Sequence, residues 1–232
     1  MRSLILLTID AWRADFADAF AGVPLLPSLA GRPHARLTRL SANGPWTSPA
    51  LVSLFTGEPV LQHGVHHAWD APRRDSVGLA QVFRDHGAHV PDLCYLNRVL
   101  NYHHLGYPED TAPPSPTGPD DPVIFDAITD AAARKSPSFL WYHYKYVHLP
   151  YWPAVEFRRL FGVEDVPARL RDSVGTGFIV PREDFTLDPA DRDLVQRLYA
   201  AGVRQMDAWL ARVLAHLDHS GLDATVVITA DH

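Results

Sequence analysis

Two apolar runs constrain this chain more than any other feature: Leu4-Ile5-Leu6-Leu7-Thr8-Ile9, almost at the first residue, and Ala224-Thr225-Val226-Val227-Ile228-Thr229, almost at the last. Neither alternates polar with apolar residues. Runs of this length without alternation suit strands buried on both faces, as in a parallel sheet. Each run ends in an acid, the first at Asp10 and the second at Ala230-Asp231-His232. In open α/β sheets, ligands bind beyond the carboxyl ends of the strands. Two carboxylates with an imidazole beside one of them would suit a divalent cation there. The plainer alternative, that each acid is a solvated residue opening a turn, stays open for either one alone.

The segments between these runs alternate in character. Residues 11–20 read as a helix after the first strand, 35–41 as a second strand, and 49–55 as a short helix opened by Pro49. Residues 76–86 carry helical spacing through Val77, Ala80, Val82 and Phe83, stopped at Gly87, and 90–95 read as a strand. Residues 105–122, rich in Pro, Asp, Thr and Gly, predict a surface loop. A helix over 122–134 leads to an aromatic strand over 139–147, and 162–188 read as an irregular insertion or lid. The clearest helix keeps Leu194, Leu198, Val203, Met206, Leu210, Val213 and Leu217 on one face, ended by Gly221. Strands alternating with helices predict an α/β fold with a mainly parallel central sheet flanked by helices. No internal repeat or linker divides residues 1–232, which read as one domain.

Composition removes several function classes. With 232 residues the chain can bury a sizeable core, and 47% hydrophobic with 21% charged residues is ordinary for a globular protein. The net charge of −6 is spread along the chain without a basic block, so nucleic acid is not the expected partner. A single cysteine, Cys94, allows no internal disulfide and fits a reducing compartment. The first apolar run is too short for a signal peptide, and nothing approaches the roughly 20 apolar residues of a membrane helix. A soluble, cytoplasmic protein is the expectation. Oligomeric state is not legible.

A third segment bears on chemistry: Pro45-Trp46-Thr47-Ser48-Pro49-Ala50-Leu51-Val52-Ser53-Leu54-Phe55-Thr56-Gly57. Thr47 stands at the start of the predicted helix. It reads either as an ordinary N-cap or as a nucleophile whose anionic ester the helix N-terminus would stabilise. A cation on that hydroxyl would lower its pKa. Of the thirteen histidines, the pairs His66-His67 and His103-His104 read as surface residues, and His63 as a turn residue that merits a test. Trp141, Tyr142, Tyr144 and Tyr146 read as strand packing rather than a base-stacking platform. Lys145 lies close to His148 without a clear role.

Four segments in order resemble the sulfatase/alkaline-phosphatase superfamily. Thr8-Ile9-Asp10-Ala11-Trp12-Arg13-Ala14-Asp15 resembles the opening segment of sulfatases. Trp46-Thr47-Ser48-Pro49, followed by Ser53-Leu54-Phe55-Thr56-Gly57 and His63-Gly64-Val65, resembles their nucleophile segment in order and spacing. His148-Leu149-Pro150-Tyr151 is similar to the His-x-Pro-Tyr segment, and Val226 to His232 to the strand carrying the second pair of metal ligands. The resemblance implies an alkaline-phosphatase-like three-layer sandwich and a hydrolase acting on a small anionic ester. It makes Asp10, Asp231 and His232 metal ligands, Thr47 both ligand and nucleophile, and His148 a contact to the ester oxygens or a proton donor to the leaving group. Tyr95 and Asn97 fall where polar substrate contacts often lie, although partial burial explains Tyr95 equally well.

The chain departs from the family's pattern at three positions. Sulfatases proper convert a Cys or Ser within Cys/Ser-x-Pro-x-Arg to formylglycine; here Thr47 and Leu51 replace the first and last of those residues, and threonine cannot give that aldehyde. Ala11 stands where the family has a second N-terminal acid. The remaining set resembles the single-metal, threonine-nucleophile branch, which includes phosphodiesterases and phosphotransferases. One divalent ion is expected, manganese or zinc ahead of calcium, because a nitrogen donor sits among oxygens. Three functions stay open: a phosphoesterase or phosphotransferase, a sulfate-ester hydrolase using the threonine hydroxyl directly, and an inactive domain keeping the fold. Family members continue past Asp-His with a C-terminal portion, so the ending at His232 reads as a truncation.

Overall fold

The computed structural model describes residues 2–67, 70–73, 75–93, 106–107, 118–168, 170 and 188–232. In chain order the elements are β1 (Ser3–Ile9), β2 (Ala19–Phe20), β3 (Val23–Pro24), α1 (Thr47–Thr56), α2 (Val60–His63), α3 (Leu79–Asp85), α4 (Val123–Ala133), β4 (Phe139–Tyr144), α5 (Val155–Arg159), α6 (Pro189–Ser220) and β5 (Ala224–Ala230). They pack as two compact units. One comprises Met1–Ala11, Arg36–Tyr144 and Val213–His232, the other Trp12–Ala35 and Lys145–Arg212.

The first unit is built on a parallel sheet of order β4-β1-β5. Parallel neighbours need long crossovers, which the intervening helices supply. Residues of both alternations on β1 and β4 are buried, including Ile5, Leu7 and Ile9 on one face and Leu6 and Thr8 on the other. The expected two-sided cover therefore holds for these strands. β5 is different: its residues are mostly half-exposed, and Val227 is 41% exposed. Among the described residues only β1 pairs with it, so its apolar run does not make it a fully buried strand.

Packing on one sheet face is aromatic. Alternation puts Phe139, Trp141 and His143 on the same side of β4. Phe55 of α1 meets Trp141 edge-on with ring centroids 4.6 Å apart, and Phe83 of α3 stacks on Phe139 at 4.7 Å. α4 buries Ile124, Ala127, Ile128 and Ala131. Its outer side reaches the end of α6, where Thr129 Oγ1 and His216 Nε2 lie 2.9 Å apart.

The second unit is held by α6 and the segment after Asp10. Ser28 donates to the buried carboxylate of Asp207 from both its backbone N–H and its hydroxyl, and Arg204 donates to the other oxygen at 2.6 Å. The Arg13 N–H donates to Tyr199 Oη at 2.8 Å, and Phe16 packs edge-on against the Tyr199 ring at 4.8 Å.

The helices over 122–134 and 194–217 form as expected, α6 ending at Gly221 in the left-handed region at φ 70°. The helix over 49–55 starts two residues earlier, at Thr47, and the one over 76–86 is shorter, with Val77 exposed outside it. The strand over 139–147 stops at Tyr144.

Three expectations fail. Residues 11–20 are not a helix: they hold a 3-10 turn at Ala14–Phe16 and the start of a two-stranded ribbon, β2 pairing antiparallel with β3. Ala21 and Gly22 connect that ribbon at φ 49° and 80°. Two consecutive positive φ angles match the right-handed twist of a tight hairpin, a need that Ala-Gly advertises weakly in sequence. Residues 35–41 form no strand, and Leu37 and Leu40 are 74% and 71% exposed. Residues 90–93 are likewise not a strand; among the described residues the only pairing nearby is a single parallel bridge from His89 to Ser138. Residues 94–95, and most of the loops expected over 105–122 and 162–188, lie outside the described residues.

Candidate active site

The sheet register brings the two strand-ending acids to one edge. Ile9 lies opposite Ala230, and the next residues on the two strands are Asp10 and Asp231. The ladder continues past the strand ends: the Asp10 N–H donates to the Tyr144 carbonyl at 2.9 Å and the Asp231 N–H to the Ile9 carbonyl at 3.4 Å. The chain then turns sharply, with Ala11 at φ 53°. That turn aims the Ala11 N–H at Asp231 Oδ1, at 3.0 Å, and the His232 N–H reaches the same oxygen at 2.8 Å.

One carboxylate oxygen is thus held by two backbone donors. The other, Asp231 Oδ2, is buried and accepts no hydrogen bond from the described residues; His232 Nε2 stands 3.7 Å from it. His232 Nε2 is also 3.5 Å from Asp10 Oδ1. Asp10, Asp231 and His232 each offer a ligand atom, and these atoms lie within 4.8 Å of one another. Burial raises the Asp231 carboxyl above the usual carboxylate range, opposed by His143 and reinforced by the neighbouring Asp10. The hydrogen bond to Asp10 raises the His232 imidazole above its ordinary value, and the charges of both acids add to it. Two buried carboxylates this close repel each other unless a positive charge stands between them. An oxygen, oxygen, nitrogen donor set with one unbonded buried carboxylate oxygen fits a divalent cation.

Thr47 approaches the same place from α1. It is the first residue of the helix; the N-cap is Trp46, which provides no side-chain acceptor. Thr47 is therefore not an N-cap, and its Oγ1 points to Asp10 Oδ1 at 3.4 Å. Phe55, packed on Trp141 two turns further along, fixes the helix over the sheet face that carries Asp10. Gly44 allows the chain to enter the helix closely, since a Cβ there would lie 2.8 Å from the Ala50 nitrogen. Pro49 follows in the first turn, where its missing N–H costs nothing.

His63 has a structural task. Its Nδ1 accepts the Val65 N–H at 3.0 Å, which leaves the proton on Nε2, 2.9 Å from Ser53 Oγ. The ring is fully buried and clamps the turn after α2 to α1; desolvation lowers its pKa below the ordinary histidine value.

The structure thus gathers Asp10, Thr47, Asp231 and His232. His148 belongs to the other unit, half-buried, its Nδ1 2.8 Å from the Leu149 carbonyl oxygen. Tyr95 and Asn97 lie outside the described residues. Sequence reasoning missed a buried group beneath Asp10. Trp141 Nε1 donates to Thr8 Oγ1 at 2.9 Å, Thr8 Oγ1 lies 2.8 Å from His143 Nδ1, and His143 Nε2 lies 3.5 Å from Asp10 Oδ2. The sequence holds half of the signal, with Thr8 and Asp10 two apart and Trp141 and His143 two apart, but only the register of β1 on β4 sets the two pairs side by side.

The fold and the acid-edged site define an α/β protein of the alkaline-phosphatase-like class. The sequence profile of the Sulfatase family matches residues 2–232, and the chain belongs to that family. No curated protein matches it in sequence. Among solved structures it is similar to the phosphonate monoester hydrolase of Agrobacterium radiobacter, at 19% identity and TM-score 0.73, covering 100% of this chain and 62% of that one. It is also similar to the phosphonate monoester hydrolase of Silicibacter pomeroyi, at 15% identity and TM-score 0.70, over 100% and 62%. A lipoteichoic acid synthase from Listeria monocytogenes matches at 15% identity and TM-score 0.58, over 100% and 56%. The chain spans about three fifths of the length of these structures. No described helix is long and apolar enough to cross a membrane.

Proposed function

We propose that this chain carries the nucleophile and cation-binding part of a hydrolase or transferase acting on a small anionic ester, with phosphorus esters preferred and Thr47 as nucleophile. The observation that carries this reading is the position of Thr47 Oγ1, at a helix N-terminus and 3.4 Å from Asp10 Oδ1. Asp10, Asp231, His232 and the Thr47 hydroxyl would hold one divalent cation, manganese or zinc ahead of calcium because the set includes an imidazole. Bound there, the cation would supply Lewis acidity and neutralise charge.

The residues divide the work as follows. The Thr47 hydroxyl points its proton at Asp10 Oδ1, which takes it as the oxygen attacks and returns it to the threonine oxygen on release. The Thr47 oxygen attacks phosphorus in line with the leaving oxygen; the new bond is Thr47 Oγ–P and the broken one is P–O of the leaving alcohol. The N-terminus of α1 stabilises the equatorial oxygens. His148 contacts the ester oxygens or protonates the leaving alkoxide, and Tyr95 and Asn97 provide polar contacts. Water, or an acceptor alcohol, then displaces Thr47 from phosphorus and restores the hydroxyl. Phosphonate monoester hydrolases and sulfatases both stand among the similar folds, so the preference for phosphorus rests on the residues. Threonine cannot be converted to the aldehyde that sulfatases proper require.

The test is turnover of paired chromogenic esters (phosphodiester, phosphonate monoester, phosphomonoester and sulfate) by protein stripped of metal and reloaded with manganese, zinc or calcium. Metal-dependent turnover of a phosphorus ester, lost in Thr47→Ala, supports the reading. Faster sulfate turnover moves the assignment to sulfate esters, and turnover unaffected by Thr47→Ala removes Thr47 from it.

A further inference from the structure

The buried side chains beneath Asp10 have no part in the proposed chemistry, yet they are arranged in one line. Parallel register sets Thr8 opposite His143, and alternation gives Thr8 and Asp10 the same face of β1 that Trp141 and His143 have on β4. Thr8 is fully buried and His143 nearly so. A hydroxyl and an imidazole at that depth require partners. The contacts run Trp141 Nε1 to Thr8 Oγ1 at 2.9 Å, Thr8 Oγ1 to His143 Nδ1 at 2.8 Å, and His143 Nε2 to Asp10 Oδ2 at 3.5 Å.

One neutral arrangement suits all three contacts of this line. A ring nitrogen facing a carboxylate must carry the proton, because two lone pairs in contact repel. With the proton on Nε2, Nδ1 is an acceptor, so Thr8 donates its hydroxyl proton there. The Thr8 oxygen then receives the Trp141 N–H. Indole nitrogen is a donor only, so Trp141 donates to Thr8 and leaves the Thr8 hydroxyl proton available for Nδ1.

We propose that His143 is a positioning residue for the cation site, held as the Nε2–H tautomer by Thr8 and Trp141 so that it orients the Asp10 carboxylate. This rests on the reading of Asp10 as a ligand. The Asp231 carboxylate is fixed differently, by the Ala11 and His232 N–H groups. Asp231 is thus held mainly by backbone turns and Asp10 faces this side-chain line, with His143 also acting on Asp231 through its charge. Groups that orient a metal's ligands typically change affinity by about 10- to 100-fold when removed.

Two measurements test it on the purified protein. The first is zinc and manganese affinity by competition with a chromogenic chelator, with unfolding of the metal-free protein in denaturant as the control for folding. The variants are Asp231→Ala, His143→Phe, His143→Gln, Thr8→Val and Thr8→Ser. His143→Phe and Thr8→Val should weaken binding by about 10- to 100-fold, while His143→Gln and Thr8→Ser, which keep a donor or the hydroxyl, should return most of it. Asp231→Ala should remove binding altogether. If wild type binds and Asp231→Ala does not, but His143→Phe and Thr8→Val bind like wild type, the positioning role is wrong and the ligand reading survives. If wild type binds neither metal, the ligand reading fails and takes this inference with it. The second measurement needs no metal. Long-range proton–nitrogen NMR of the metal-free protein should show His143 as the Nε2–H tautomer in wild type. An Nδ1–H tautomer there overturns the proposal, including in the case where His143→Phe and Thr8→Val do not fold.

Discussion

The Ala11 N–H donates to Asp231 Oδ1 across 3.0 Å, joining the turn after β1 to the turn after β5. It can do so only because Ala11 sits at φ 53°, a region that residues with a Cβ enter at a cost. Strain of this kind persists where the surroundings over-determine it.

Substitutions at Ala11 should therefore separate strain from hydrogen bonding. Ala11→Gly keeps the N–H and relieves the Cβ, at the cost of a more flexible unfolded chain. We expect it to be neutral or to stabilise by up to about 1 kcal/mol, with metal binding retained. Ala11→Val keeps the N–H but places a β-branched residue at positive φ, and should destabilise by about 1–3 kcal/mol. Denaturant unfolding of the metal-free proteins measures both. Equal stabilities would show that this turn is not strained.

His63 should give the protein an acid-sensitive stability. Burial lowers its folded pKa, so the unfolded chain binds the proton first as pH falls. The contribution is fully present above the ordinary histidine value, about 6.5, and is lost as pH falls from there toward the lower folded value. Unfolding midpoints from pH 8 to pH 5 should decline in wild type, and part of that slope should vanish in His63→Leu. That variant should also be less stable throughout, since Val65 N–H and Ser53 lose their partner. An unchanged slope in His63→Leu would remove His63 as its cause.

Metal binding should release a proton near neutral pH. Asp10 and Asp231 raise the pKa of the His232 ring, and a cation needs that ring neutral. Affinity should weaken as pH falls through a value above the ordinary histidine range. Calorimetry in buffers of different ionisation enthalpy should report release of a substantial fraction of a proton at pH 7, absent in His232→Ala. Affinity independent of pH between 6 and 8 would contradict His232 as a ligand.

The parts of the fold set by local pattern were legible in the residues. β1 is a continuous apolar run and α6 has helical periodicity, and the boundaries of β1 and α4 differ from the expected ones by one residue. What failed was structure decided by backbone angles or by neighbours. The hairpin at Ala21-Gly22 depends on two positive φ angles that Ala does not signal, and Leu37 and Leu40 supply apolar content without a partner strand. β5 has the composition of a buried strand, but burial is conferred by what packs on it. At the site, Asp10, Thr47, Asp231 and His232 were each readable from a strand or helix end. His143 was not, because its part depends on which strand lies beside β1, and register is a property of the assembled sheet. His63 was noted as a turn residue, whereas its contact with Ser53 links residues ten apart.

The proposed chemistry turns on a covalent bond between Thr47 Oγ and the substrate's phosphorus. Acid quenching during turnover of a chromogenic phosphonate or phosphate ester by metal-loaded protein, followed by peptide mass spectrometry, would capture that bond. A phosphoryl or phosphonyl group should appear on Thr47, absent in Thr47→Ala and in metal-stripped protein. Sustained turnover with Thr47 unmodified, and persisting in Thr47→Ala, would contradict it.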